Sequence, residues 1–100
     1  TRAKSFDTFC PLGPFIQTNF EQNPELGIKC FVNNELKQDG NTRDMIFSIG
    51  DILCFVSSIM TLLPGDVILT GTPEGVSKVG PGDEIKIEIE TIGTLVNSIK

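Results

Sequence analysis

In the run from Glu84 to Thr91, apolar and polar side chains alternate strictly as far as Glu90. Because successive side chains of a β-strand point to opposite faces of a sheet, this period of two places the isoleucines on one face and the charged groups on the other. The pattern predicts a half-buried strand. Gly93 is expected to bulge or turn the chain into a last strand from Thr94 to Ile99.

A second stretch with the same period, from Leu26 to Asn33, predicts another half-buried strand. It runs into the pair Asn33-Asn34, and asparagine tolerates the positive φ that both central residues of a type I′ turn require. We therefore expect the residues from Glu35 to Gln38 to return antiparallel to the preceding strand and to form a β-hairpin.

One segment has the spacing of an amphipathic helix. Ser48 followed by Asp51 resembles a capping box with aspartate in place of glutamate, and apolar residues then recur at helical intervals. A helix is predicted over Ile49 to Leu62, and Pro64-Gly65-Asp66 should end it. Together these elements indicate a β-rich α+β fold with one principal helix.

The short apolar run from Val67 to Leu69 lies between turn signals, which is typical of a strand buried on both faces. Its carboxyl end leads into Thr70-Gly71-Thr72-Pro73, where hydroxyls and backbone amides emerge together and glycine permits a ligand to approach the main chain. The alternative is that these threonines only end the strand and cap the loop of residues 74–83. The residues alone leave both interpretations open.

Composition argues against two classes of partner. The 13 acidic and 8 basic residues are spread along the chain, so no basic face is available to neutralise nucleic-acid phosphates. The longest apolar stretch, from Ile46 to Leu63, is interrupted by polar residues and falls short of the roughly 20 apolar residues of a membrane-spanning helix. A chain of 100 residues suits a single domain, and its abrupt start at Thr1 suggests a part of a larger one.

Cysteine and histidine usage limits the chemistry. The three cysteines are too widely spaced for a disulfide framework or a metal knuckle, which favours a reducing compartment, and their apolar neighbours predict buried, inert thiols. They are Cys10, Cys30 and Cys54. Because the chain has no histidine, it cannot supply a Ser-His-Asp triad, a Cys-His dyad or an imidazole metal ligand. Lysine, carboxylates and hydroxyls remain as reactive groups.

Lys4 is a candidate for anion binding because it is the lone cation of the apolar-leaning run from Ala3 to Gln17. A lysine beside Phe6 and Phe9 either extends its ammonium group to water or is held in a cleft for an anion. The residues do not decide between the two.

Two polar groups receive structural interpretations. Glu88 and Glu90 share one face of the predicted strand, a spacing that suits Mg²⁺ or Ca²⁺, but the alternation with isoleucine and the nearby Lys86 favour a solvated outer face. We therefore reject a metal site there. Polar residues between the hairpin and the helix are interpreted as a loop with helix-entry chemistry. They are Gln38, Asn41, Thr42, Arg43 and Asp44.

Five motifs, in chain order, resemble the C-terminal half of the catalytic domain of the fumarylacetoacetate hydrolase family. They are Lys4 to Pro14 (KSFDTFCPLGP), Val32-Asn33 with Glu35, Gly40-Asn41-Thr42 through Met45-Ile46-Phe47, Pro64 to Ile68, and Thr70 to Val76. The resemblance covers nearly the whole chain. It identifies residues 1–100 as the C-terminal portion of a single catalytic domain of this family.

The resemblance implies a mixed β-roll, usually dimeric, in which a divalent cation holds a small oxo-acid. The cation is commonly Mg²⁺, with Mn²⁺ or Ca²⁺ as alternatives. Members of the family hydrolyse, isomerise, decarboxylate or dehydrate 2-oxo or dicarboxylic acids through an enol or enolate. By the same resemblance, Lys4 would lie close to the substrate as a catalytic group, Thr72 would hydrogen-bond the substrate, and Gly71 would give close backbone approach.

The carboxylates that bind the metal in this family, a Glu-x-Glu pair and a later aspartate, are expected upstream of Thr1. The chain alone is therefore expected to be inactive. The resemblance also implies a cytoplasmic protein, or one of the mitochondrial matrix in a eukaryote. The alternative from another class is a non-catalytic relic or a dimerisation module, whose isoleucine-rich strand and helix mainly build an interface.

Overall fold

A computed structural model of the protein describes residues 2–19 and 24–100, in which two β-hairpins form one sheet and a single α-helix lies between them in sequence. The elements are β1 (Gly27–Val32), β2 (Glu35–Asn41), a 3₁₀ turn (Thr42–Asp44), α1 (Ile49–Ile59), β3 (Glu84–Ile89) and β4 (Gly93–Ser98). The strand order is β2-β1-β3-β4, and every pairing is antiparallel. The predicted β-rich α+β fold with one principal helix is confirmed.

The first hairpin turns at Asn33 and Asn34, whose φ angles of 49° and 65° match the predicted type I′ turn. The strands then pair until the register shifts between Cys30 and Phe31. Cys30 lies opposite Gln38 and Phe31 lies opposite Leu36, so Lys37 is the extra residue of a β-bulge.

The side chain of Asn33 also joins the two hairpins. Its Nδ2 donates to Oδ1 of Asp83 over 2.8 Å, and its Oδ1 accepts from the backbone N–H of Glu84 over 2.9 Å. Asp83 Oδ2 accepts from the N–H of Gly80 over 2.8 Å. The hydrogen bonds from Gly80 and Asn33 hold the pKa of Asp83 below its ordinary value. Asn33 and Asp83 thus fix the start of β3 beside the tip of the first hairpin.

One row of directly paired residues crosses the four strands from edge to edge. It consists of Gly40, Ile28, Ile89 and Gly93. Directly opposed residues of antiparallel strands project to the same face. A Cβ added at Gly40 would lie 3.1 Å from the Pro73 ring, and one added at Gly93 would lie 3.1 Å from the Phe15 ring. Pro73 and Phe15 therefore cover the same face at opposite edges, about 14 Å apart across three strand spacings of ~4.8 Å.

The helix begins as predicted and ends earlier than predicted. Ser48 Oγ accepts from the N–H of Asp51 and the Asp51 carboxylate accepts from the N–H of Ser48, which completes the capping box. The predicted end at Leu62 is wrong because Met60 already has extended backbone angles. The Leu63–Asp66 turn, closed by Asp66 N–H to Leu63 O and Leu63 N–H to Asp66 Oδ2, occupies the residues that follow.

The predicted buried strand at Val67 to Leu69 is also wrong. This run pairs with no strand in the described part of the chain, and the exposed fractions of Val67 and Leu69 are 54% and 77%. An apolar run indicates that its side chains favour burial against other residues. It forms a strand only where a neighbouring strand supplies hydrogen bonds. Thr70 and Thr72 consequently follow an irregular segment.

No apolar side chain among residues 2–19 and 24–100 is fully buried. The prediction of buried thiols is wrong for Cys10 and Cys54, which are exposed, while Cys30 is half-buried. Their apolar neighbours are exposed as well, among them Phe9 and Phe55. In the described ranges, no helix is long and apolar enough to cross a membrane.

Candidate functional site

The segment Thr70 to Val76, here called the threonine loop, lies against β2. The Gln38 side chain donates from Nε2 to Thr72 Oγ1 over 2.8 Å and to the carbonyl oxygen of Pro73 over 2.7 Å. The Pro73 ring covers Gly40, two residues further along the same strand. One strand therefore fixes both the hydroxyl of Thr72 and the backbone that follows it.

A second contact lies at the β-bulge. Gly75 has φ +97°, and a Cβ added there would overlap the carbonyl oxygen of Lys37, the extra residue of β2. Only glycine lets the two backbones approach this closely in that conformation. The bulge and Gly75 thus determine how closely the threonine loop approaches β2.

Gly71 and Thr72 lie in a loop whose residues from Thr70 to Val76 are all exposed. Both residues are exposed, Gly71 has φ +96°, and a Cβ added at Gly71 would meet no atom within 4 Å. The backbone at Gly71 can therefore be approached closely by a ligand, next to a hydroxyl whose position is fixed by Gln38. A small polar ligand at this position would meet a fixed hydroxyl and an open backbone side by side.

Lys4 lies in a turn at the start of the described chain and is exposed. Two aromatic rings follow it, since Phe6 and Phe9 pack edge to face with ring centres 5.4 Å apart. Among the described residues, the Lys4 ammonium group has no ion pair, and no hydrogen bond joins it to Thr72. Phe15, further along the chain, lies over the sheet face that also carries the threonine loop, and the convergence of Lys4 with Thr72 stays a prediction.

The carboxylates of Glu88 in β3 and of Glu90 just after it have structural partners. Glu88 pairs with Lys86 over 2.9 Å, and the Lys86 ammonium lies 4.4 Å from the centre of the Phe31 ring. Glu90 Oε2 accepts from the N–H of Gly27 over 2.9 Å. No group of three or more acidic, cysteine or histidine side chains able to hold a metal occurs within residues 2–19 and 24–100. The described residues therefore do not fit a metal centre by themselves.

Sequence reasoning missed the contact between Gln38 and the threonine loop. The predicted hairpin places Gln38 on the returning strand, which the structure confirms, whereas the prediction that it belongs to a polar loop leading into the helix is wrong. The helix-entry interpretation is right for Asn41, whose Oδ1 accepts from the N–H of Arg43, at the start of the 3₁₀ turn. The partner of Gln38, Thr72, lies 34 residues further along the chain, so no local pattern signals the contact.

The fold and this loop define a class of protein: a β-rich α+β domain with a polar, glycine-containing loop held against one edge strand of its sheet. The family model of the fumarylacetoacetate (FAA) hydrolase C-terminal region matches residues 1–100. The chain belongs to the fumarylacetoacetate hydrolase family.

Related proteins agree with this assignment. The chain is 54% identical over 100 residues to an uncharacterized protein of Methanocaldococcus jannaschii, covering 100% of this chain and 42% of that protein. It is 48% identical over 100 residues to the 4-hydroxyphenylacetate degradation bifunctional isomerase/decarboxylase of Salmonella dublin, covering 98% of this chain and 23% of that protein.

Solved structures have the same fold. The 5-carboxymethyl-2-hydroxymuconate delta-isomerase of Mycobacterium smegmatis superposes with a TM-score of 0.92 at 47% identity, over 97% of this chain and 38% of that one. The maleylpyruvate hydrolase of Sphingobium sp. SYK-6, in complex with manganese (II) ion and pyruvate, superposes with a TM-score of 0.88 at 44% identity, over 94% of this chain and 36% of that one. The chain thus corresponds to less than half the length of each of these proteins, as a partial domain of this fold.

Proposed function

We propose that the protein carrying this chain is an enzyme that acts on a small 2-oxo or dicarboxylic acid through an enol or enolate. The observation that carries the proposal is the threonine loop, where Gln38 fixes the Thr72 hydroxyl beside the open backbone of Gly71. The isomerase, decarboxylase and hydrolase names of the related proteins support this kind of reaction.

The proposed chemistry depends on negative charge that develops on the substrate. When a proton or a carbon group leaves the carbon next to the carbonyl, the carbonyl oxygen acquires enolate charge. A fixed hydroxyl at Thr72 and the ammonium group of Lys4 stabilise that charge more in the transition state than in the ground state. Lys4 is the catalytic cation of this proposal, and Gly71 and Thr72 bind the substrate.

We further infer that the protein uses a divalent cation, Mg²⁺ in preference to Mn²⁺ or Ca²⁺, held by carboxylates outside this chain. The related hydrolase in complex with manganese (II) ion and pyruvate supports a divalent cation beside an oxo-acid. When bound, such an ion polarises the oxo-acid as a Lewis acid. The chain alone is expected to have no turnover.

The test is Lys4→Ala in the full-length protein, assayed with a panel of 2-oxo dicarboxylic acids. Loss of one charge-stabilising group should lower kcat by about 10²- to 10³-fold, as for other enzymes that lose such a donor. Lys78→Ala, in the exposed loop after the threonine loop, removes the same charge as a control and should leave turnover unchanged. Wild-type turnover by a Lys4→Ala protein with native circular dichroism would refute the role of Lys4.

A second candidate function is a non-catalytic relic or a module for homodimer assembly. Exposed apolar side chains on α1 favour it, since Phe55 and Ile59 are 67% and 62% exposed. Calorimetric titration of the full-length protein with Mg²⁺ and oxalate, which has the shape and charge of an enolate, separates the two functions. Saturable binding of oxalate supports the enzyme, and its absence in a folded dimer supports the assembly module.

A further inference from the structure

We propose that Gln38 is a positioning residue that fixes the Thr72 hydroxyl as a hydrogen-bond donor toward the substrate. The inference rests on the proposed function, since it assigns a task to a residue that does not itself touch the substrate. It follows from the direction of the two hydrogen bonds that connect Gln38 to the threonine loop.

The orientation of the Gln38 amide is determined by its partners. The carbonyl oxygen of Pro73 can only accept, so the group that faces it over 2.7 Å must be the NH₂ of Gln38 and not its oxygen. The second hydrogen of the same NH₂ points to Thr72 Oγ1 over 2.8 Å. Both hydrogens are thereby used, and the amide cannot accept from Thr72.

The Thr72 hydroxyl is left with a defined direction. Its oxygen accepts from Gln38, so its own hydrogen is free for another acceptor, and within the described residues Oγ1 has no other hydrogen bond. The anionic oxygen of an oxo-acid or its enolate is such an acceptor. A donor that already points toward the developing charge needs no reorientation during the reaction.

Gln38 is suited to this task because it stands on a paired strand. It lies opposite Cys30 in the hairpin and is half-buried, so its backbone is fixed independently of the loop. Gly40 beneath the Pro73 ring and the Lys37 carbonyl beneath Gly75 hold the loop on either side of it. Those two contacts position the loop as a whole. Gln38 determines only the direction of one hydrogen bond, because it makes the Thr72 hydroxyl accept from the protein and leaves its hydrogen to donate to a ligand.

The experiment compares Gln38→Glu with Gln38→Met in the full-length protein. The ionised carboxylate of Q38E only accepts hydrogen bonds, so it attracts the Thr72 hydrogen and faces the Pro73 carbonyl with no donor. We expect kcat/KM to fall by about 10²-fold, comparable to the loss of one charge-stabilising donor, with the larger part of the loss in kcat. Relative to wild type, the activity of Q38E should recover as the pH falls and the carboxyl group regains a donor.

Q38M supplies no donor and no charge, so its loss should be smaller than that of Q38E and should not depend on pH. Gln17→Glu adds the same charge at an exposed position and should leave kcat/KM unchanged. In the background of Thr72→Val, the substitutions at position 38 should cost no more than about 3-fold in addition, since the hydroxyl on which they act is gone.

The outcomes separate this inference from the proposed function. If T72V alone leaves turnover unchanged, the proposed role of Thr72 falls, and this inference falls with it. If T72V is impaired while Q38E and Q38M are fully active, or if their losses multiply with that of T72V, only the role of Gln38 is overturned. Should Q38E fail to fold by circular dichroism, the T72V cycle with Q38M gives the same decision.

Discussion

The contact between Gly75 and the β-bulge allows the placement of the threonine loop to be tested by a single methyl group. In Gly75→Ala the new Cβ would overlap the Lys37 carbonyl oxygen, so the loop or the strand edge must move. An ordinary contact requires a displacement of roughly 1 Å or more, and a misplacement of that size in an active site costs about 10²-fold in rate. We expect kcat/KM of the full-length G75A protein to fall by this factor.

The positive φ of Gly75 adds a cost in stability that a second glycine measures separately. Gly65 has φ +96°, almost the value of +97° at Gly75, and a Cβ added at Gly65 would meet no atom within 4 Å. Gly65→Ala therefore gives the cost of the backbone conformation alone, about 1–3 kcal/mol in the free energy of unfolding. G65A should keep wild-type kcat/KM, because it leaves the threonine loop in place.

The assay is steady-state turnover together with urea unfolding for both variants. G75A should lose more stability than G65A and should also lose activity at substrate saturation, since the displaced Thr72 hydroxyl no longer meets the developing charge. Equal stability losses with full activity in both proteins would contradict the argument, because they would mean that the approach of Gly75 to Lys37 does not position the loop.

Two further predictions concern the groups that fix the elements around the site. Ser48→Ala removes the acceptor for the Asp51 N–H and should lower the free energy of unfolding by about 1 kcal/mol in urea titrations. Ser48→Thr keeps a hydroxyl acceptor and should retain most of the wild-type stability. Equal stability of S48A and wild type would contradict the capping role. The pKa of Asp83 is lowered by hydrogen bonds from Gly80 and Asn33, so its stabilising effect is complete above its ordinary pKa of 3.8 and is lost as the pH falls through the lower pKa of the folded state. Acid unfolding of Asp83→Asn should therefore depend less steeply on pH below 3.8 than that of wild type, and identical slopes would contradict this coupling.

The elements that sequence predicted well are those whose signals lie within a few residues. The pair Asn33-Asn34 predicts a type I′ turn because both residues tolerate positive φ, and Ser48 with Asp51 predicts the helix start because the two side chains cap each other. The alternation in β3 likewise requires only the residues of that strand. Local chemistry therefore determined most of the sheet and the beginning of the helix.

The predictions that failed depend on distant partners. Val67 to Leu69 has the composition of a buried strand, but a strand requires a neighbour, and the described residues place none beside it. The predicted helix beyond Ile59 rests on continued apolar residues, whereas the Leu63–Asp66 turn determines the backbone after Met60. In both segments the apolar pattern indicates which side chains favour burial. It does not determine the conformation of the backbone.

The candidate site combines both kinds of information. Gly71 and Thr72 are candidates from their place after an apolar run and from a resemblance of motifs, and the structure adds their support on β2. The contact of Gln38 with the loop has no sequence signal, because the face on which Gln38 lies depends on a bulge at Lys37 that changes the register of the hairpin. The residue that orients a site can thus be less visible in sequence than the residue it orients.

The width of the sheet sets the distance that the predicted convergence of Lys4 and Thr72 must span. The threonine loop covers Gly40 at one edge, and Phe15 covers Gly93 at the other edge of the same face. The four strands separate these edges by about 14 Å, at ~4.8 Å for each strand spacing. The eleven peptide units between Lys4 and Phe15 can span up to about 36 Å when extended, so chain length does not prevent the Lys4 ammonium group from reaching the Thr72 hydroxyl. The conformation of the turns between Lys4 and Pro14, rather than the distance across the sheet, therefore determines whether both groups contact one anion.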